Sequence, residues 1–301
     1  MVSLEEQQLR NGFEKVFMGA AGSAGGAGLD VDEVFSTYLY KGTGTAANST
    51  QTVTNGIDLD GEGGLVWIKD RATKNNYLFD TDRGGWNSWS TNSGDAEDTN
   101  QEDKLTAFNS DGFTLTGDNQ VNENYSNPSG NYVSWTFRKA PKFFDVVTYT
   151  GNGATNRQIA HNLGCAVGMI IVKNLNGGNA RVFHRSTWGD DGYDTFYLTS
   201  DADANQNNSA FSTGGYAPTS SVFYVDGTYS SGTNRNSHNY VAYLFAHNNG
   251  DGEFGPDSDQ DIIKCGSYTG NNDPYYSNNP LNDLGFEPQW LFIKNATDTA
   301  D

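Results

Sequence analysis

Two segments of the chain share one alternation of large apolar and smaller or polar side chains. In the segment 131–137, NYVSWTF, the side chains of Val133, Trp135 and Phe137 alternate with those of their neighbours, and the segment 239–245, NYVAYLF, has the same phase. Successive side chains of a β-strand point to opposite faces of the sheet. This period of two therefore predicts two antiparallel strands that are buried on one face.

Three further segments are continuous apolar runs that end in a lysine. They are GLVWIKD at 64–70, GMIIVKN at 168–174 and QWLFIKN at 289–295. A short apolar run between turn-forming residues is typical of a strand that is covered on both faces. We therefore expect three equivalent strands, ending at Lys69, Lys173 and Lys294.

These segments recur in a fixed order, which indicates an internal repeat. A tyrosine followed by a turn precedes each apolar run, as YKGTG at 40–44, YTGNG at 149–153 and YTGNN at 268–272. A weaker match pairs the Asp-Gly dipeptides at 111–112 and 226–227. The period of about 110 residues is that of a domain rather than of a solenoid unit.

The repeat divides the chain into four parts, and the predicted fold class is mainly β. Short strands, many turns and a domain-sized period favour antiparallel β-sandwiches in tandem. Residues 34–144 form β-sandwich repeat 1, residues 145–261 form β-sandwich repeat 2, and residues 262–301 begin a truncated repeat 3. Residues 1–33 hold a short N-terminal anchor helix and a Gly-rich linker. We expect the sequence to be the front of a longer protein.

The N-terminal arm has the pattern of an amphipathic helix tethered by a flexible linker. Ser3 and Glu6 have the spacing of a capping box, and one helical face carries Leu9, Phe13, Val16 and Phe17. Residues 19–28, GAAGSAGGAG, then read as a linker. So short a helix is marginal alone in water, so its apolar face either docks on the following domain or anchors the chain to another protein. The linker favours the anchor.

The charge balance excludes two classes of partner. The chain has 18 Lys and Arg against 37 Asp and Glu, a formal net charge of −19. Nucleic acids and anionic membranes are bound by cationic surfaces, so we expect neither as a partner. The N-terminus lacks the features of a signal peptide, and the two cysteines are too few for a disulfide framework.

Candidate chemistry is sparse, and we predict no catalysis. The four histidines lie outside any metal or nucleophile motif. The acidic segment 248–261 offers Asp251, Asp257 and Asp259 as weak candidate ligands for Ca²⁺, which prefers several oxygen ligands from one loop. It lacks the spacing of an EF-hand, so the other interpretation is a solvated linker between domains.

Four aromatic side chains are candidates for binding a glycan. They occur in Gly- and Asn-rich surroundings rather than in alternating strands: Trp86, Trp89, Trp188 and Tyr193. Sugar recognition uses an apolar ring face beside groups that hydrogen-bond hydroxyls. Such rings could equally close the edges of the sandwiches or lie in contacts between chains.

The segments GLVWIKDR, LTAFNSDGFTLTG and NYVSWTF together resemble modules of a known family. These are the concanavalin A-like jelly-roll modules repeated in structural proteins of marine tailed phages, notably cyanophages. The resemblance covers about residues 35–301 and implies a tail fibre or related appendage in the virion. It also implies a homotrimer that contacts other tail or baseplate proteins and a host-surface glycan.

The residues and the resemblance together predict a non-enzymatic structural protein. The N-terminal helix would attach it to the particle, and the sandwiches would meet the host surface. Alternatives are a capsid decoration or vertex fibre protein, a glycan-cleaving enzyme on a jelly-roll scaffold, and a cellular lectin-like adhesin.

Overall fold

A computed structural model describes residues 28–44, 50–99, 104–123, 130–185, 195–198, 210–228, 232–271 and 282–295. These residues are mainly β, with one short helix, α1 (Val31–Val34), and fifteen strands. The strands are β1 (Phe35–Lys41), β2 (Gln51–Thr54), β3 (Gly64–Asp70), β4 (Asn76–Asp80), β5 (Trp89–Ser90), β6 (Leu105–Asn109), β7 (Gly112–Leu115), β8 (Asn131–Arg138), β9 (Phe144–Thr150), β10 (Arg157–Ala160), β11 (Val167–Asn174), β12 (Arg181–His184), β13 (Thr195–Tyr197), β14 (Val222–Val225) and β15 (Asn239–Ala246). In this part of the chain no helix has the length and hydrophobicity needed to cross a lipid bilayer.

The strands form antiparallel sheets whose order repeats along the chain. Strands β1–β8 make a five-stranded sheet, β1-β8-β3-β4-β5, and a three-stranded sheet, β2-β7-β6. Strands β9–β15 make a five-stranded sheet, β9-β15-β11-β12-β13, and a two-stranded sheet, β10-β14. The two five-stranded sheets have the same order, and we call these two sets of strands repeat 1 and repeat 2.

The strand register shows that the repeated sequence landmarks occupy equivalent places. Lys69 lies opposite Val133 between β3 and β8, and Lys173 lies opposite Val241 between β11 and β15. In the same register Trp67 faces Trp135, and Ile171 faces Tyr243. The equivalence of Lys69 with Lys173 and of Trp135 with Tyr243 is confirmed, although Trp135 is only partly buried.

The pairing of the two Asp-Gly dipeptides is wrong. Asp111 and Gly112 lie where β7 begins, whereas residues 226–227 follow β14, the strand equivalent to β7. A dipeptide that favours turns can recur at unrelated positions because many turns accept it.

The repeated tyrosines and lysines close the ends of the strands in both repeats. Tyr40 stacks on Tyr132 and Tyr149 stacks on Tyr240, each with ring centroids 5.1 Å apart. The hydroxyls of Tyr40 and Tyr149 donate to backbone carbonyls 2.8 and 2.7 Å away. The ammonium of Lys69 donates to the carbonyl oxygen five residues later, as does that of Lys173. The tyrosines and lysines that recur in the sequence therefore make equivalent contacts at the strand ends of the two repeats.

Each small sheet covers one face of its five-stranded sheet. In repeat 1 the core between the sheets includes Val66 and Phe79 from the large sheet and Phe113 from the small one. In repeat 2 the corresponding core includes Leu244 and Phe223. Each fully buried side chain of this size contributes about 1.5–3 kcal/mol to stability.

The largest apolar core lies between the two repeats. The second face of each five-stranded sheet packs against that of the other, so Phe137 of β8 contacts Phe245 of β15 and Phe144 of β9, at centroid distances of 5.4 and 5.6 Å. We call this cluster the shared core. The apolar runs in β3 and β11 are buried on both faces, as predicted.

The prediction that β8 and β15 are buried on only one face is wrong. In β8 the polar face carries Ser134 and Thr136, both fully buried, and Asn55 donates to the Thr136 hydroxyl at 2.8 Å. In β15 the same face carries Ala242 and Leu244. A buried hydroxyl such as that of Thr136 can line an interior when a hydrogen bond satisfies it, and the small side chain of Ser134 is buried without one, so polarity alone does not indicate exposure.

The third lysine-ended segment is not a strand, contrary to the prediction. Trp290 packs on Phe137 and Phe245, whereas the neighbouring side chains of Leu291 and Ile293 are 62% and 63% exposed. In both repeats the lysine-ended strand pairs with an NYV-containing strand. The two segments of that type in the sequence are already used as β8 and β15, so residues 289–294 have no equivalent partner among the described residues.

Removing one ring from the shared core should destabilise both repeats together. We expect Phe137→Ala to lower the free energy of unfolding by about 3–5 kcal/mol, because a large buried side chain is replaced by a cavity. Urea unfolding followed by tryptophan fluorescence measures this change. Leu39→Ala, on the exposed side of the edge strand β1, is the control and should cost under about 0.5 kcal/mol. A loss for Phe137→Ala no larger than the control's would contradict the role given to the shared core.

Candidate functional site

A buried polar network joins the two repeats inside the shared core. Arg83, just after β4, pairs through Nε with Asp80 Oδ2 at 2.7 Å and through Nη1 with Glu97 Oε2 at 3.1 Å. Its Nη2 donates to the hydroxyl of Tyr243 in repeat 2 at 3.1 Å. Burial opposes the charge of Arg83, but the Asp80 carboxylate raises its pKa above the usual value. Arg83 is therefore a fixed cation at the junction.

The hydroxyl of Tyr243 is the centre of this network. It donates to Asp80 Oδ2 at 2.8 Å and accepts from Trp89 Nε1 at 3.0 Å. Burial raises the pKa of Tyr243 well above its usual value, so the hydroxyl keeps its proton and remains a donor. The equivalent position in repeat 1 is Trp135, so the network is a feature of the junction and is not repeated.

A buried lysine holds two loops together at the same junction. Lys173 donates to the carbonyls of Asp95 and Gly178, at 2.6 and 2.5 Å, and its ammonium lies 5.8 Å from the centre of the Trp89 ring. Burial lowers the pKa of Lys173 to about 8 despite the nearby Asp95 carboxylate. The Gly178 amide also donates to the Gly94 carbonyl. The loop of repeat 1 that carries Gly94 is therefore joined to the loop of repeat 2 that carries Gly178.

A polar cleft of about 420 Å³ opens where these loops meet. Repeat 1 contributes two acids and an amide and repeat 2 an amide and two hydroxyls: Asp82, Glu97, Asn87, Asn239, Thr148 and Thr150. Arg83 also borders it, as do Tyr149 and Tyr240, whose rings lie on the opposite face of the sheet, in the core of repeat 2. Amides, hydroxyls and carboxylates are groups that exchange hydrogen bonds with the hydroxyls of sugars.

The structure describes two of the four aromatic side chains predicted to bind a glycan, and only one of these two is exposed. Trp86 is 46% exposed and lies in the turn that carries Arg83 and Asn87 of the cleft. Trp89 is 1% exposed and stacks on Tyr243 in the shared core. A sugar cannot reach Trp89, so that prediction is wrong; an indole in a Gly- and Asn-rich segment can still be an interior side chain. Trp188 and Tyr193 lie outside the described residues.

The acidic segment 248–261 forms a loop that contacts Leu29, near the start of the described residues. Asp251 accepts a bond from the backbone of Asn249, while Asp257 and Asp259 are exposed. Among the described residues, no group of three or more acidic, histidine or cysteine side chains is arranged to hold a metal ion. Phe254 instead reaches the shared core and pairs with Leu29.

The histidines that the structure describes are not among the residues that line the cleft. The Nδ1 atoms of His161 and His247 accept from backbone amides at 3.2 and 3.1 Å, and His238 pairs with an asparagine. His184 is half-buried at the end of β12, and burial lowers its pKa. The anchor residues Leu9, Phe13, Val16 and Phe17 lie outside the described residues.

The cleft could not be located from the sequence, because it depends on how the repeats meet. Its groups come from segments that are far apart in the chain, and the amides and hydroxyls in it are common residue types here. One indication of its position was present in the sequence. Tyr149 and Tyr240 have equivalents in repeat 1, and they lie at the strand end where the cleft opens.

Comparison with known proteins identifies a family but gives no function. A family model described as a domain of unknown function, DUF7483, matches residues 30–301, which is most of the chain. No curated protein and no solved structure matches the sequence.

Removing the hydroxyl of Tyr243 should weaken the junction without creating a cavity. We expect Tyr243→Phe to lower the free energy of unfolding by about 1–3 kcal/mol, because the buried Trp89 N–H loses its acceptor and Asp80 loses a donor. Urea unfolding measures the effect. Tyr38→Phe, on an exposed position of β1, is the control; equal stabilities of the two variants would contradict the network.

The low pKa of Lys173 predicts a stability that rises with pH. Between about pH 8 and the usual lysine pKa of about 10.5, the unfolded chain binds the proton more strongly than the folded one. The free energy of unfolding should therefore rise in this range, by up to about 1.4 kcal/mol per pH unit from this group.

The measurement is the difference in unfolding free energy between the wild type and Lys173→Met at pH 7, 8, 9 and 10. Other titrations cancel in this difference, which should increase with pH. Lys41→Met, at the exposed end of β1, is measured in parallel as the control for the loss of a lysine. A constant difference for Lys173→Met would refute the assignment.

Proposed function

We propose that this chain, which belongs to the DUF7483 family, is a non-enzymatic structural protein of a virion appendage, a phage tail fibre that attaches to host-surface carbohydrate. In this proposal each repeat is a concanavalin A-like jelly-roll sandwich, and the repeats stand in tandem behind an N-terminal anchor helix. The resemblance of GLVWIKDR and NYVSWTF to phage appendage modules supports this assignment, as does the mainly β fold with its repeated sheet order.

The observation that carries the proposal is the shared core. A large apolar interface suppresses the motion that consecutive domains otherwise have. Phe137, Phe144 and Phe245 pack across it, and the network of Arg83 and Tyr243 fixes one relative position. A fibre that must hold a receptor-binding surface away from a particle needs this stiffness.

The described start of the chain supports attachment through the N-terminus. The Gly255 amide donates to the Leu29 carbonyl at 2.9 Å, and a side chain at Gly28 would lie 2.2 Å from the carbonyl oxygen of Glu253. Residue 28 is thus held against the acidic loop. A linker that leaves the repeats at this fixed point would transmit force from the anchor to the two repeats. This arrangement fits an anchor formed by Leu9, Phe13, Val16 and Phe17.

The cleft between the repeats is the proposed carbohydrate site. Its neutral amides Asn87 and Asn239 and hydroxyls Thr148 and Thr150 can exchange hydrogen bonds with sugar hydroxyls. We propose that the protein works as a homotrimer, so several clefts act together and raise a weak affinity by avidity. Its other partners in this proposal are tail or baseplate proteins.

The particle itself provides the test. We expect Phe13→Asp with Phe17→Asp to leave the repeats folded, with an unchanged circular dichroism spectrum, while the chain disappears from assembled particles. A buried apolar contact cannot accommodate two charges. Mass spectrometry of purified particles and immunogold microscopy against repeat 1 measure copy number and location.

Glu14→Lys, on the opposite face of the predicted helix, is the control and should assemble normally. Normal copy number of the double variant would place the anchor elsewhere. Absence of the wild-type chain from particles would reject the virion function, and labelling on the capsid would reject the tail.

A further inference from the structure

The outer face of the small sheet in repeat 2 carries a stacked pair of tyrosines. Tyr216 is 51% exposed, and its ring lies 5.1 Å from that of Tyr224 on β14, with 25° between the ring planes. Tyr224 is half-buried and supports Tyr216 from behind. The pair, which we call the tyrosine platform, presents a flat apolar ring to solvent.

The loop before the sheet holds this ring in place. The Tyr216 amide donates to the hydroxyl of Ser212 at 3.0 Å, and that hydroxyl donates to Asn156 at 2.8 Å. At Gly214 an added side chain would lie 2.4 Å from an edge atom of the Tyr216 ring, so the ring sits directly against the backbone. A ligand that binds the platform would thus have little side-chain motion to arrest.

The outward strand positions beside the platform carry neutral side chains. Gln158 lies opposite Tyr224 in the strand register, and its amide donates to the Tyr224 hydroxyl at 3.3 Å. The next outward position of β10 is Ala160, opposite Val222. A ring face beside an amide and a hydroxyl, with no charge at these four strand positions, suits the C–H face of a neutral sugar ring rather than an ionic ligand.

Repeat 1 shows that the fold does not require aromatic side chains here. The equivalent strands β2 and β7 place Thr52 and Thr114 at the positions of Gln158 and Tyr224, with their hydroxyls 3.4 Å apart. The small sheet of repeat 1 therefore forms with a pair of threonines where that of repeat 2 has Gln158 and Tyr224. The platform is an addition to repeat 2 at an exposed place where it contributes little to burial.

We propose that Tyr216 and Tyr224 form a second carbohydrate subsite, separate from the cleft, on which a neutral hexopyranose ring stacks. The subsite rests on the proposed carbohydrate attachment and specifies its ligand class. Tyr216 supplies the stacking face, Tyr224 fixes its orientation, and Gln158 contributes the amide that can bond a ring hydroxyl.

Affinity electrophoresis in native gels containing dextran, soluble starch or laminarin tests this subsite. We expect at least one polysaccharide to slow the wild-type protein. Tyr216→Ala should weaken that binding at least 10-fold, and Tyr216→Trp should preserve it. Tyr38→Ala, which removes a tyrosine of comparable exposure from β1, should behave as the wild type. Matching melting temperatures establish that the variants fold.

The cleft variant Asn87→Ala separates this subsite from the proposed function. If Asn87→Ala weakens binding and Tyr216→Ala does not, the platform is refuted while carbohydrate attachment stands. If all three polysaccharides leave the wild type unretarded, the subsite is refuted, and the particle experiment still decides the virion function. Equal losses in Tyr216→Ala and Tyr38→Ala also refute it.

Discussion

The packing of one five-stranded sheet on the other is the contact on which the rest of this structure depends. It buries the second face of both large sheets, so their central strands are interior throughout. The apolar part of the interface is not directional, because rings such as Phe137 and Phe245 could pack in several relative positions. The ion pair of Arg83 with Asp80, bonded to Tyr243, is directional. Breaking a buried charged pair is costly, and we infer that this network selects one arrangement of the repeats.

The features with functional interest follow from that arrangement. The cleft exists because the loops held by Lys173 come together at the edge of the shared core. The acidic loop packs Phe254 into the same core and thereby fixes Leu29 and the start of the described chain. The proposed binding surface and the proposed point of attachment are therefore linked through one apolar core. The proposed role as a receptor-binding fibre requires this link, and a chain of independently moving domains would lack it.

The sequence predicted the two described repeats and several of their strands, because the landmarks are local. A tyrosine before a turn and a lysine after an apolar run report contacts made within each repeat. The sequence did not reveal what the large sheets pack against. The alternation of side chains in β8 does not show whether the second face of that strand meets water or another sheet. The burial of Trp89 depends on that same distant contact, whereas residues 289–294 lack an equivalent partner strand among the described residues. The tyrosine platform was missed because Tyr216 belongs to a loop and only the fold brings it to Tyr224.

Differential scanning calorimetry of the chain tests most directly whether the two repeats are one cooperative body. We expect a single transition whose calorimetric enthalpy equals the van't Hoff enthalpy, since neither large sheet can lose its shared face while the other stays folded. The same transition should move to lower temperature as a whole in Phe137→Ala. Two transitions, with only one of them shifted by this substitution in β8, would show that the repeats fold independently and would contradict the account.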